Sequence, residues 1–189
     1  MLEYEKKILL TRDEYATLAE RFGCILVESQ INQYYDTEGF YMNSRGITCR
    51  IRDKNGKYKV TIKNHVAAHL NCSMEVNLYE GIDFNSEAFE ALGLHLQGEL
   101  ITTRIIIHKD KFCEVVLDRN KYLGRTDYEL EVEYAEMCEE KALKYIEEVA
   151  KYLLEGNLID SAESFMQRIG KGKSKSERFF EIKKLMAKP

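Results

Sequence analysis

The sequence has a single proline, Pro189 at its last position, and no segment rich in glycine and serine interrupts residues 1–155. Flexible linkers between domains usually contain such residues, so their absence argues against a division of this stretch into domains. A chain of 189 residues is long enough to bury one hydrophobic core. We therefore expect a single domain over residues 1–189, in which residues 156–189 form a helical C-terminal element.

The sequence also lacks an excess of basic residues, since 28 Lys and Arg stand against 32 Asp and Glu for a net charge of -4. Binding to nucleic acid irrespective of its sequence depends on such an excess, so no nucleic-acid partner is expected. The five cysteines form no C-x-x-C pair, which disfavours a zinc site and a disulfide framework. No apolar run approaches ~18 residues and no secretory signal opens the sequence, so we expect a cytoplasmic protein without a membrane partner.

Hydrophobic periodicity predicts a chain of strands with helices between and after them. Residues Leu2–Leu10 alternate with the period of a strand, and a helix with a capping box is predicted between Thr11 and Gly23. The dipeptide Asn55-Gly56 predicts a hairpin turn. Strands are predicted at 2–10, 24–37, 47–53, 57–64, 70–78, 99–109, 111–118 and 127–134, and later helices at 86–92, 139–154, 160–169 and 175–187. Tight turns and short helices between successive strands predict an antiparallel sheet that can close into a barrel, in an α+β fold.

Charged residues are sorted by sign onto different strands. The hairpin strands carry basic rows and the last predicted strand an acidic one: Arg50 and Arg52; Lys57, Lys59 and Lys63; Asp127, Glu129, Glu131 and Glu133. Most antiparallel sheets turn a polar face to water, but residues of one sign in a row repel one another, and a ligand of opposite charge would relieve this. Carboxylates two residues apart can share Mg²⁺ or Mn²⁺, and guanidinium and ammonium groups suit phosphate. If both rows face one cavity, they predict a site for a metal-bound polyphosphate.

The triple Glu3-x-Glu5-x-Lys7 resembles the E-x-E-x-K signature of the CYTH domain family, the triphosphate tunnel metalloenzymes. Other segments resemble that family in its own order: Gln33–Thr37, Arg50–Arg52 with Lys59 and Lys63, Thr102–Arg104, Leu117-Asp118, Tyr122–Glu131 and the basic segment Lys173–Arg178. The resemblance covers nearly the whole chain. It implies an eight-stranded antiparallel β-barrel that forms a tunnel, with helices packed on the outside and the C-terminal element closing the tunnel.

The same resemblance implies an enzyme that hydrolyses a triphosphate, foremost inorganic triphosphate, with Mg²⁺ or Mn²⁺ as cofactor. It implies that the triphosphate is bound by Arg50, Arg52, Lys59, Lys63, Arg104, Lys175 and Arg178, and that the metal is held by Glu3, Glu5, Asp118, Glu129 and Glu131. The candidate catalytic residues are Glu5, Glu131 and Lys7, and the sequence leaves open whether Glu5 or Glu131 orients the attacking water. Glu75 is also expected to point into the tunnel.

Several alternatives stay open at the level of the sequence. They are a class IV-type adenylate cyclase, a thiamine or nucleoside triphosphatase, and a non-catalytic module that binds polyphosphate or nucleotide. A homodimer is also left open. His65 and His69 are four residues apart without a helical pattern around them, so they are expected at the surface, and the register of Glu133 is ambiguous.

Overall fold

A computed structural model describes residues 2–22, 26–67, 72–84 and 86–187, and the side chains of residues 2, 3, 65–67, 72, 73 and 88 lie outside that description. The elements follow one another in this order: β1 Leu2–Leu10, α1 Arg12–Phe22, β2 Val27–Asp36, α2 Tyr41–Ser44, β3 Ile47–Lys54, β4 Lys57–Ala67, β5 Cys72–Gly81, α3 Glu87–Ala91, β6 His95–Lys109, β7 Cys113–Tyr122, β8 Arg125–Tyr134, α4 Glu139–Glu155, α5 Ala162–Met166 and α6 Lys175–Met186. No helix of the described chain is long and apolar enough to cross a membrane.

The eight strands form a closed antiparallel barrel in the order β1-β5-β4-β3-β2-β6-β7-β8, which confirms the predicted fold. Closure comes from β1, which pairs with β8 from Tyr4 opposite Tyr134 to Leu10 opposite Tyr128, and with β5 over a shorter stretch. Because successive side chains of a strand point to opposite faces, each strand gives one row of side chains to the interior and one to the outside.

The main hydrophobic core lies outside the barrel, between its wall and three helices. Ile8, Leu117, Leu130 and Val132 are buried on the outer faces of β1, β7 and β8, against buried side chains of α1, α4 and α5: Leu18, Ala142, Ile146, Val149, Leu153 and Phe165. The α4 members recur at helical spacing, which places them on one face of that helix. Burial of each large apolar side chain contributes about 1.5–3 kcal/mol, so the apolar row of each strand is held outward and the charged row inward.

The helix α6 lies at one end of the barrel. Its residues Phe179 and Phe180 form a buried cluster with Tyr34, Leu100 and Tyr122, at the end where β6 begins and β7 turns into β8. A capping box starts the helix: the Ser174 side chain accepts from the Glu177 N–H, and the Glu177 carboxylate accepts from the Ser174 N–H. The preceding segment is attached to β1, because the Gly170 N–H donates to the Lys7 carbonyl at 3.0 Å.

The structure departs from the predicted elements at several bounds, and two of these departures concern a turn and a helix near the cavity. β7 continues to Tyr122, four residues beyond the predicted end, and turns tightly through Leu123 and Gly124, which both have positive φ. The short helix α2 was not predicted because its start is held by a side chain at the end of β2: the Asp36 carboxylate accepts from the Met42 N–H at 2.9 Å and the Asn43 N–H at 2.8 Å. A periodicity argument does not detect such a contact.

Candidate functional site

A cavity of about 260 Å³ lies inside the barrel, and charged side chains dominate its lining. The structure therefore brings the basic and acidic rows of the sequence together around one space. The charged residues that line it are Glu5, Lys7, Glu28, Arg50, Arg52, Lys54, Lys59, Lys63, Glu75, Arg104, Lys109, Glu114, Glu131, Glu133 and Lys175.

One wall of the cavity is basic and comes from the hairpin of β3 and β4. Arg50 and Lys59 share the carboxylate of Glu75 on β5, at 3.1 Å and 3.0 Å. Burial would raise the pKa of Glu75, but the charges of Arg50 and Lys59 hold that pKa below its ordinary value. Glu75 thus points into the barrel, as expected, and a single carboxylate faces two cations there.

Arg52 is the least compensated cation of this wall. Its Nε donates to the Asn32 amide oxygen at 2.9 Å, and no carboxylate of the described residues forms an ion pair with it. Burial, together with the charges of Arg50 and Arg104, lowers the pKa of Arg52 to about 10. A buried cation among other cations is disfavoured in its charged form, so an anion in the cavity would stabilise this wall.

The opposite wall holds a cluster of carboxylates. Asp118 on β7 lies opposite Glu129 on β8, and Glu131 follows two residues later on the same face. Their oxygen atoms lie within 4.8 Å of one another, and the three residues are 0%, 0% and 5% exposed. Hard divalent cations prefer oxygen ligands of this kind, so the donor set fits Mg²⁺ or Mn²⁺.

Lys175, from the first turn of α6, reaches into this carboxylate cluster. Its Nζ lies 3.0 Å from Asp118 and 2.7 Å from Glu131, and it also contacts Glu129. Lys175 lines the cavity, whereas Asp118 and Glu129 do not. The ammonium group therefore separates these two carboxylates from the cavity. The sequence grouped Lys175 with the triphosphate-binding residues, but here it neutralises the acidic wall.

Two arginines complete the neutralisation of the cluster. Arg104 on β6 binds Asp118 through two hydrogen bonds of 2.8 Å and 2.7 Å and Glu131 through one of 2.9 Å. Arg178 on α6 donates to Glu129 at 2.8 Å and to Asp127. Such charge-assisted bonds hold both guanidinium groups on the acidic side, whereas the family resemblance implies that they bind the triphosphate.

The first strand, β1, contributes one acidic and one basic side chain to the cavity. Glu5 and Lys7 form an ion pair of 2.8 Å. Burial and the neighbouring charge of Glu131 raise the pKa of Glu5 above its ordinary value, although Lys7 opposes this. Burial acts on Glu131 in the same direction, but Lys175 and Arg104 hold its pKa well below the ordinary value. Of the two carboxylates, Glu5 is the one that takes up a proton more readily.

The position of Glu133, which the sequence left ambiguous, is defined in the structure. Glu133 lines the cavity near Arg104, 3.8 Å from its Nη1, so it faces the interior. The side chains of Glu3 and His65, and the whole of His69, lie outside the described residues.

Sequence reasoning missed several polar residues of the interior. Gln30, Asn32 and Tyr34 follow one another on the inner face of β2, where Asn32 lies opposite Arg52 and Tyr34 opposite Arg50. Thr48 and Ser176, which join β3 to α6 through a hydrogen bond of 2.9 Å, were also missed. The period-two alternation of β2, which pairs with the basic hairpin, could have identified Gln30, Asn32 and Tyr34 as residues that face inward. The contact of Thr48 could not be found in this way, because it depends on the position of α6.

Comparisons with known proteins agree with this geometry. The model of the CYTH domain matches residues 1–168. YjbK from Bacillus subtilis (strain 168), described as a candidate triphosphatase, is 31% identical over 161 aligned positions, and the match covers 73% of this chain and 80% of YjbK.

Solved structures share the fold at lower identity. A candidate adenylate cyclase from Bacillus halodurans has a TM-score of 0.64 at 23% identity and covers 94% of this chain and 97% of its own. HpAC1 from Hippeastrum, a candidate adenylyl cyclase with a dominant triphosphatase activity, has a TM-score of 0.64 at 16% identity, with 95% of each chain covered. At these identities the two structures support the barrel fold alone.

Proposed function

Since this chain belongs to the CYTH domain family, we propose that it is a metal-dependent triphosphatase whose substrate is inorganic triphosphate. The observation that carries the proposal is the pairing of two walls of opposite charge around one cavity. A basic wall alone would suit any polyphosphate ligand, whereas the carboxylate cluster of Asp118, Glu129 and Glu131 adds the oxygen donors that metal-assisted phosphoryl transfer needs.

The basic wall would bind the phosphate groups. Arg50, Arg52, Lys59 and Lys63 project from neighbouring strands toward the same space, and Glu75 compensates only part of their charge. Among the described residues that line the cavity, Tyr34 is the single aromatic one, and the others are polar or charged. A nucleobase finds no apolar platform in such a lining, which favours inorganic triphosphate over a nucleotide.

The acidic wall would hold the metal through Asp118, Glu129 and Glu131, with Glu5 beside them. A bound Mg²⁺ or Mn²⁺ supplies neutralisation of phosphate charge and a lower pKa for an attacking water. For these carboxylates to serve as ligands, Lys175 has to leave the cluster. Its ammonium group would then be free to bind a phosphate oxygen, which returns it to the role that the sequence suggested.

Glu5 would accept the proton of the attacking water. Its pKa is raised by burial and by Glu131, and a carboxylate tuned upward in this way is a better general base near neutral pH than one held strongly acidic. Lys7, at 2.8 Å from Glu5, would position that carboxylate. Glu131, which Arg104 also contacts at 2.9 Å, would stay ionised as a metal ligand.

The C-terminal element would cover one end of the tunnel as part of the same domain. Ser174, Lys175 and Ser176 line the cavity, and the aromatic cluster around Phe179 attaches α6 to the barrel. This arrangement supports a closure role for residues 156–189, in which Lys175 exchanges its carboxylate partners for a phosphate oxygen when metal and substrate bind.

The test is to incubate the protein with tripolyphosphate, ATP or thiamine triphosphate, each with Mg²⁺, with Mn²⁺ or with a chelator, and to measure phosphate, pyrophosphate and cyclic AMP. We expect phosphate and pyrophosphate from tripolyphosphate in the presence of metal only. Cyclic AMP from ATP would identify a cyclase instead, and binding without any product would identify a binding module.

Matched variants make the assay specific to the site. Glu131→Gln should abolish turnover, whereas Glu147→Gln, at an exposed position on α4, should leave it unchanged. Thermal unfolding of both variants shows whether loss of activity reflects loss of folding.

A further inference from the structure

The hydroxyl group of Tyr34 lies inside the barrel without an assigned role. The side chain is 2% exposed and lines the cavity. Its ring is held on one side by α6, with ring centroids 4.9 Å from Phe179 and 5.9 Å from Phe180. A tyrosine packed in this way has one orientation, so the position of its hydroxyl group is set by the fold.

Within the described residues this hydroxyl group has no hydrogen-bond partner, and it is not enclosed by protein but accessible from the cavity. The charges that act on it are those of Arg50, Lys175, Arg52 and Arg178, all of them cations. Burial nevertheless raises the pKa of Tyr34 above its ordinary value, so the group keeps its proton. It is therefore an O–H donor that faces the cavity close to several of its cations.

A hydroxyl group that opens onto the cavity is available to a ligand, whereas a phenylalanine at this position would pack in the same aromatic cluster without a donor. The neighbouring arginines are donors only and offer the hydroxyl proton no acceptor. An anion attracted to the space between them would offer one. Tyr34 lies directly opposite Arg50 in the strand pairing, so the same anion is within the reach of both strands.

We propose that Tyr34 is a further triphosphate-binding residue, whose hydroxyl group donates a hydrogen bond to a phosphate oxygen held by Arg50 and Arg52. This inference rests on the proposed function, since it names a residue of the same site. The ring of Tyr34 packs on α6, the helix that carries Lys175. A phosphate bound to the hydroxyl group would thereby be linked through this ring to the helix that covers the tunnel.

The opposing interpretation is that Tyr34 is only a core aromatic residue. The adjacent Tyr35 provides the matched control because it lies on the other face of β2, where it is buried outside the barrel and packs on Phe89 with ring centroids 5.0 Å apart. Tyr34→Phe and Tyr35→Phe each remove one hydroxyl group from neighbouring positions of one strand, and only the first hydroxyl group faces the cavity.

The experiment measures the binding of tripolyphosphate by calorimetry in the presence of a chelator, for the wild type and both variants, together with thermal unfolding with and without tripolyphosphate. For Tyr34→Phe we expect a Kd raised roughly 10-fold or more, as for loss of a hydrogen bond to a charged group, and a smaller stabilisation by the ligand. For Tyr35→Phe we expect a Kd within about 2-fold of the wild type, the scatter of a position without ligand contact.

Equal Kd values for the wild type and Tyr34→Phe would overturn the inference and leave the proposed function standing. A wild type that binds no tripolyphosphate would overturn both. Weaker binding by Tyr34→Phe in a protein that hydrolyses nothing would support the inference and overturn only the hydrolytic activity.

Discussion

Replacement of Lys175 by methionine removes the ammonium group that contacts all three carboxylates of the cluster, while most of the length of the side chain is kept. Loss of one partner of a buried ion pair costs about 3–5 kcal/mol because the opposite charge is left uncompensated. Arg104 and Arg178 remain in contact with the cluster, so we take the lower end, about 3 kcal/mol, for the metal-free protein.

The same free energy should reappear in metal binding. In the wild type a divalent cation has to displace Lys175 from Asp118, Glu129 and Glu131, whereas in Lys175→Met it meets no competing cation. A difference of about 3 kcal/mol corresponds to a roughly 100-fold lower Kd for Mn²⁺. Saturating metal should also restore most of the stability that the substitution removes, since metal then supplies the missing positive charge.

The assay is calorimetric titration of Mn²⁺ without substrate, combined with thermal unfolding in chelator and in excess Mn²⁺. Lys171→Met, at an exposed position before α6, is the matched control and should behave like the wild type. An unchanged Kd for Mn²⁺ in Lys175→Met, with the same loss of stability with and without metal, would refute the idea that Lys175 occupies the metal position.

Two further substitutions test the basic wall and the outer packing. Arg52→Gln should raise the Kd for tripolyphosphate by roughly 10-fold or more, and unchanged binding by calorimetry would contradict this. It should change the unfolding free energy of the ligand-free protein by less than about 1 kcal/mol, because Arg52 lacks a carboxylate partner among the described residues. Burial alone would raise the pKa of Glu14, but hydrogen bonds from Arg168 and from the Thr11 N–H hold that pKa below its ordinary value of 4.5. The ionised Glu14 therefore stabilises the folded protein above pH 4.5, and this stabilisation is lost as the pH falls through the folded pKa. Glu14→Gln should therefore lower the unfolding free energy by about 1–3 kcal/mol at pH 7 and by progressively less below pH 4.5, and a pH-independent difference in denaturant titrations would argue against the ion pair.

The barrel and the two charged walls could be predicted from the sequence because both depend on local alternation. A period of two separates Arg50 and Arg52 from Cys49 and Ile51, and burial then decides that the apolar row faces the helices. The same alternation explains why Glu133 follows Glu131 into the cavity.

The partners of the charged residues could not be predicted in this way. The contacts of Lys175 and Arg178 with the acidic wall depend on where α6 docks, which is decided by Phe179 and Phe180 against Tyr34 at the other end of the chain. Alternation shows only that Arg104 faces inward. That it binds Asp118 rather than a neighbour of the basic wall follows from the pairing of β6 with β7, where the two residues lie opposite each other.

The most direct measurement is phosphorus NMR of tripolyphosphate incubated with the wild type and with Glu129→Gln/Glu131→Gln, each with Mg²⁺, which is diamagnetic, and with a chelator. We predict that the signals of phosphate and pyrophosphate appear only for the wild type with Mg²⁺. Persistence of intact tripolyphosphate with the wild type and metal, or equal cleavage by the double variant, would contradict the assignment of the acidic wall to metal-dependent hydrolysis.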